Sequence, residues 1–177
     1  MEQAKCAVGT HVYIRKSTLD DTDLIVRWRN SEVVRPYFLY QQLFTRESHT
    51  KWFKQTVETG QAVQFIICEN ATDRPLGSVY FHHIDRENQR AEYGIYIGEA
   101  DAEGHGLGTE TAKLALEYAF KELKFHKIML RALADNERAI KSYQSAGFVK
   151  EAHLKDEVFI RGAFHDVVYM AIINPYC

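Results

Sequence analysis

Three glycines in five positions, within Glu103-Gly104-His105-Gly106-Leu107-Gly108-Thr109, are the residues in this chain best suited to hold an anion. Glycine lets successive backbone N–H groups turn inward as a nest, and a helix beginning there adds the positive end of its dipole. The natural guest is a phosphate or a pyrophosphate. A Gly-rich turn that only lets strand and helix pack closely is the alternative reading. No Gly-Lys-Ser/Thr follows, so this is not a Walker loop, and Thr109 stands where the dinucleotide fingerprint wants a third glycine. The histidines offer no metal chemistry at this level. His82 and His83 are neighbours on a strand and should point to opposite faces, and no His-x-x-x-His spacing occurs. No metal is implied.

These residues need a strand and a helix to position them. Ala91 to Gly98 alternates and is rich in aromatic and β-branched residues, which predicts a strand. Fifteen residues without Gly or Pro follow the loop. Their Ala112, Ala115, Leu116, Ala119 and Leu123 share one helical face, opposite Glu110, Lys113, Glu117 and Lys121. Further on, Asn136-Glu137-Arg138-Ala139-Ile140-Lys141-Ser142-Tyr143-Gln144-Ser145-Ala146-Gly147-Phe148 predicts a second helix with Gly147 as its stop.

Together the two blocks resemble the GNAT superfamily of acetyl-CoA-dependent N-acetyltransferases. Gly106 and Gly108 match the family loop, and Asn136, Ala139, Tyr143, Gly147 and Phe148 match its Asn-x-x-Ala-x-x-x-Tyr-x-x-x-Gly-Phe helix. Trp28-Arg29-Asn30 resembles a feature of one branch, which holds ribosomal-protein N-terminal, spermidine and nucleotide-amino-sugar acetyltransferases. Glu103 departs from the Gln or Arg usual in the loop. A carboxylate beside a pyrophosphate is repelled, so its side chain is expected to turn outward.

The resemblance implies that Glu103 to Thr109 hold the pyrophosphate of acetyl-CoA as co-substrate. It further implies that free backbone at Ile95, Tyr96 and Ile97 grips the pantetheine arm and the thioester oxygen, with Asn136 meeting the same arm. Tyr143 is then the candidate general acid. A phenol with a pKa of about 10 is protonated at neutral pH and can supply a thiolate whose conjugate acid lies near about 8.5. From the residues alone, Tyr143 reads as a packing residue and Asn136 as an N-cap. Glu92 is the candidate base, on the strand face shared by Gly94 and Tyr96, and burial must raise its pKa for that role. A non-catalytic acyl-CoA-binding module is the competing class.

The expected fold is α+β, a single domain over residues 1–177, with a mixed, mostly antiparallel sheet of about seven strands flanked by about four helices. Residues 1–10 read as a loose leader. Val12 to Lys16, Ala62 to Glu69, Leu76 to Ile84, His126 to Ala134 and a hairpin about Arg161-Gly162 supply the other strands. Thr45 caps a helix carrying His49, Trp52 and Phe53, and Trp28 reads as a core anchor. Tyr37, Phe38, Tyr40 and Phe44 crowd an irregular segment that serves as a lid or a substrate wall.

At 177 residues, 46% hydrophobic and 26% charged, the composition suits a soluble domain with a real core. A net charge of −2 predicts no general attraction to nucleic acid. Lys121, Lys124, Lys127 and Arg131 read as a solvated helix end. Cys6, Cys68 and Cys177, odd in number and far apart, argue for a reducing cytoplasm. No apolar run approaches membrane-spanning length. The expected partner is a small-molecule amine, and a homodimer is left open. Segment 31–59 holds Glu32, Glu47 and Glu58 against Arg35, Arg46, Lys51 and Lys54, too few acids for a polyamine site. A nucleotide-linked amino sugar is the preferred acceptor, its diphosphate meeting Arg35 or Arg46.

Overall fold

Alternating apolar runs joined by short polar turns build one open sheet in the computed structural model, which describes residues 4–176. Its strands are β1 (Lys5–Val8), β2 (Val12–Lys16), β3 (Val63–Glu69), β4 (Pro75–Asp85), β5 (Arg90–Ile97), β6 (Lys127–Leu133), β7 (Val149–Ile160) and β8 (Ala163–Ile173). They lie in the order β1-β2-β3-β4-β5-β6-β8-β7. Only β5 and β6 run parallel among these pairs. The helices are α1 (Thr22–Asn30), α2 (Arg46–Trp52), α3 (Leu107–Lys121) and α4 (Glu137–Ser145). α2 continues as a π-helical turn, Phe53–Val57.

The sheet has eight strands because the leader is partly structured. Residues 5–8 pair antiparallel with β2, which corrects the expectation that residues 1–10 are loose. Residues 1–3 and Cys177 lie outside the described residues. Among the described residues, no helix is long and apolar enough to cross a membrane.

The two main cores lie on the two faces of the sheet, and a third small cluster joins Leu133, Ile160 and Val167. The larger packs Ala112, Ala115, Leu116 and Ala119 of α3 against Val12, Phe65, Val79, Tyr93 and Ile128. That is the α3 face that helical periodicity predicts. The other main core packs Ile25 and Trp28 of α1 against Tyr13, Ile66 and Tyr96. β5 therefore serves both cores, with Tyr93 on one face and Tyr96 on the other.

Candidate active site

The α3 N-terminus has the geometry the glycines require. Gly104 and Gly106 are left-handed, at φ +80° and +76°, a conformation other residues adopt only with strain. A Cβ built on either meets no atom within 4 Å, so both backbones face open space. Gly106 is the residue before the helix, whose first N–H groups have no intrahelical partners. Thr109 Oγ1 and Ser142 Oγ lie 2.8 Å apart, tying this end of α3 to α4.

β5 parts from β6 after three residues. Arg90, Ala91 and Glu92 pair with Lys127, Ile128 and Met129, and no pairing continues beyond Glu92. On its other edge β5 stays bonded to β4 as far as Ile97. The β6-side edge from Tyr93 onward thus offers backbone groups free for a guest. Ile95, Tyr96, Ile97 and the loop residues Glu103, Gly104, Gly106, Leu107, Gly108 and Thr109 line one cavity of about 790 Å³, which His105 does not line. Open space over left-handed glycines, a free helix N-terminus and a free strand edge together fit a long, phosphorylated arm such as that of CoA.

α4 closes the cavity. Asn136 caps α4, its Oδ1 accepting from Ala139 N at 3.3 Å, and also lines the cavity. Tyr143 stands edge-on to Tyr93 and Phe148, with ring centroids 6.2 and 6.0 Å away. Burial pushes its hydroxyl well above the ordinary phenol value, with Tyr80 adding to the shift. The hydroxyl is therefore protonated at neutral pH, which a general acid requires, although the upward shift makes it a weaker donor. Glu103 does not stand free: its Oε2 accepts from Arg138 Nη1 of α4 at 3.2 Å.

The histidines correct the sequence reading. His83 sits at φ +49°, and the β4–β5 register slips between His82 and Asp85. The bulge breaks strand alternation. Both imidazoles then fall on one side, with centroids 4.2 Å apart. Ligating atoms of His82, His83 and Glu92 lie within 4.8 Å of one another, against the expectation that this pair could not share a ligand. A cation is already there. Arg131 Nε and Nη2 donate to the two Glu92 oxygens at 2.9 and 3.3 Å, and His83 Nδ1 lies 2.9 Å from Oε2.

Burial alone would raise the Glu92 carboxyl, but Arg131, His83 and His82 outweigh it and hold it below its ordinary value. That direction is opposite to the one a base requires. Burial also lowers His82 to about 4. Arg131 is likewise corrected: it belongs to β6 and is bonded to Glu92, not part of a solvated helix end.

The remaining wall comes from the segment after α1. Trp28 is fully buried, as expected of an anchor, and its Nε1 donates to Glu99 Oε1 at 2.7 Å. Asn30 clips the far end of the segment, donating to Phe44 O at 2.8 Å and accepting from Phe44 N at 2.9 Å. Tyr37, Phe38, Tyr40 and Phe44 line the cavity between these fixed points. Arg35 and Arg46, expected to meet a diphosphate, do not line it: Arg35 bonds Gln41 O and Arg46 pairs with Asp23. The sequence reading missed Arg29, Arg131 and Arg138 at the site. Their signal, arginines on otherwise apolar or site-bearing elements, was present but had no partner until the chain folded.

A strand parting from its parallel neighbour, with a glycine-capped helix beside it and a tyrosine opposite, defines an N-acetyltransferase domain. The chain belongs to the GNAT family: residues 11–149 match the acetyltransferase (GNAT) domain model. It is 30% identical to an uncharacterised N-acetyltransferase of Bacillus licheniformis, over 91% of this chain and 92% of that one. Spermidine N(1)-acetyltransferase of Vibrio cholerae is 26% identical, over 94% and 95%. A solved structure of the Vibrio cholerae spermidine enzyme with CoA and spermine superposes with a TM-score of 0.86 at 26% identity, covering 92% and 95% of the two chains.

Proposed function

We propose that this N-acetyltransferase moves the acetyl group of acetyl-CoA to a primary amine of a small molecule, by direct attack of the amine on the thioester. Acetyl-CoA supplies the activated acyl group as co-substrate. The reading is carried by one conjunction: the free edge of β5, the left-handed glycine loop and Tyr143 line a single cavity.

The backbone of Glu103, Gly104, His105, Gly106, Leu107, Gly108 and Thr109 would hold the pyrophosphate. Ile95, Tyr96 and Ile97 would take the pantetheine arm and the thioester oxygen through main-chain groups fixed before reaction, with Asn136 beside the arm. Tyr143 gives its proton to the departing thiolate. Glu92 orders His83 and Arg131 at the cleft wall rather than taking the ammonium proton, because its lowered pKa makes the carboxylate too weak a base. The acceptor therefore attacks as a free amine that has already lost its ammonium proton to water. The second N–H proton, shed once nitrogen has bonded to the acyl carbon, also goes to solvent, and solvent returns a proton to Tyr143.

A nucleotide-linked amino sugar remains our preferred acceptor, and the aromatic wall suits stacking on a sugar or base. The spermidine enzymes among the relatives favour a polyamine. Charge weighs against it, since the cavity carries more cations than carboxylates. A CoA-release assay against nucleotide-linked and free amino sugars, polyamines, amino acids and N-terminal peptides tests the reading. Turnover with a small amine is the expected result. Acetyl-CoA binding with no turnover on any amine would leave only an acyl-CoA-binding module.

A further inference from the structure

Both carboxylates that line the cavity are already paired, Glu92 with Arg131 at 2.9 Å and Glu103 with Arg138 at 3.2 Å. Arg29 is not. It has no carboxylate partner among the described residues, and its Nε is buried without a hydrogen-bond partner. It leaves the last turn of α1 between Trp28, sunk in the core, and Asn30, bonded to Phe44. Its neighbours in sequence are therefore fixed, and Arg29 is held facing the cavity.

The guanidinium carbon lies 3.3 Å from the centroid of Phe38 and 4.4 Å from that of Phe44. Stacking of this kind covers the flat faces and leaves the N–H groups in the plane, where a carboxylate or phosphate is received. Burial works against the charge, and the phenols of Tyr80 and Tyr96 only partly offset it. A desolvated cation without a counter-ion is costly, so an anion brought by a ligand gains from the site.

The position joins Arg29 to the reaction centre. Tyr80 lies across Gly94 in the middle of β5, so closely that a Cβ at Gly94 would meet its ring at 2.3 Å. α1 packs on the opposite sheet face from α3, so this anion site is separate from the glycine loop.

We propose that Arg29 receives an anionic group of the acceptor, so that the preferred acceptor is a small amine that also carries a carboxylate or a phosphate. The inference rests on the acetyl-transfer reading and narrows its substrate class. An arginine serving only to clamp Phe38 and Phe44 behaves differently, since its loss harms every acceptor alike.

The test compares four acceptors at saturating acetyl-CoA: a free amino sugar, the same sugar bearing a phosphate, the same sugar bearing a carboxylate, and spermidine. We expect kcat/KM for one acidic form to exceed that of the free sugar by roughly 10–100-fold, the range set by hydrogen bonds to charged groups. The better acidic form identifies the anion. Arg29→Gln should erase most of that preference through KM, and Arg29→Lys should restore part of it. Calorimetric acetyl-CoA affinity checks that the variants are folded. If Arg29→Gln does not fold, inorganic phosphate and acetate are tested on the native protein as competitors of the amine, with competition by at least one expected. Equal or better use of the free sugar or spermidine overturns the proposal, as does an equal loss on all acceptors in Arg29→Gln, or no competition by either anion. Turnover without an acid preference refutes this inference and leaves acetyl transfer standing; no turnover with any amine removes both.

Discussion

Tyr143 is packed on two sides by Tyr93 and Phe148, yet its ring still borders the cavity. Removing only its hydroxyl separates proton donation from packing. Tyr143→Phe is expected to lower kcat about 100-fold with little change in calorimetric acetyl-CoA affinity, and unchanged turnover where chemistry limits the rate would reduce Tyr143 to a packing residue. Glu92 makes a stability prediction. Its folded pKa lies below the ordinary 4.5. Its contribution is full above that ordinary value and is lost as pH falls through the lowered one. Glu92→Gln should therefore lower Tm at pH 7, and the gap from the native protein should narrow toward pH 3. A gap independent of pH in thermal scans would mean that the ion pairs with Arg131 and His83 contribute nothing.

Two elements depend on glycine for different reasons. At the start of α3 the constraint is backbone conformation, because a Cβ at Gly106 has room but the left-handed φ does not suit a β-branched residue. Gly106→Val should weaken acetyl-CoA at least tenfold by calorimetry, of the order expected for about 1–3 kcal/mol of local strain. Gly106→Asn, which tolerates that φ, should bind better than the valine variant. A folded valine variant with native affinity would defeat the phosphate-loop reading. Just after β5 the constraint is space. A Cβ at Gly98 would lie 2.2 Å from the Trp28 ring. Gly98→Ala should cost about 1–3 kcal/mol through overpacking, seen as a Tm fall of several degrees. No fall would show that α1 shifts freely over β5.

At the scale of the whole molecule, β7 ends the sheet and carries exposed Val149 and Phe159, with Phe164 of β8 edge-on to Phe159 at 5.0 Å between centroids. An open edge with apolar side chains favours pairing with another chain. Sedimentation velocity is expected to show a species heavier than the 20.5 kDa chain, and Phe159→Asp should shift it toward monomer. A monomer at all concentrations would oppose the homodimer reading.

Periodicity was sufficient to read the α+β class and most of the elements, because α3 and β5 each bury a continuous face that follows their own repeat; the particular fold was expected from the family resemblance. The glycine loop could be read as an anion nest from its own spacing. Asn136 and Tyr143 were singled out only by their resemblance to the family helix, since on spacing alone they read as an N-cap and a packing residue. The β1 strand was not legible, since four residues gain their order only from pairing with β2. His82 and His83 followed the alternation rule until the left-handed His83 broke it, a bulge set by pairing with β5. Glu92 shows the deeper limit. Its place on the strand could be read from the chain, but its charge state depends on Arg131, brought from 39 residues away. Arg29 is the same case in reverse, because the absence of a carboxylate partner among the described residues exists only once the chain has folded. Local propensity acts over one element, whereas electrostatics and desolvation depend on whatever the tertiary fold places within a few ångströms.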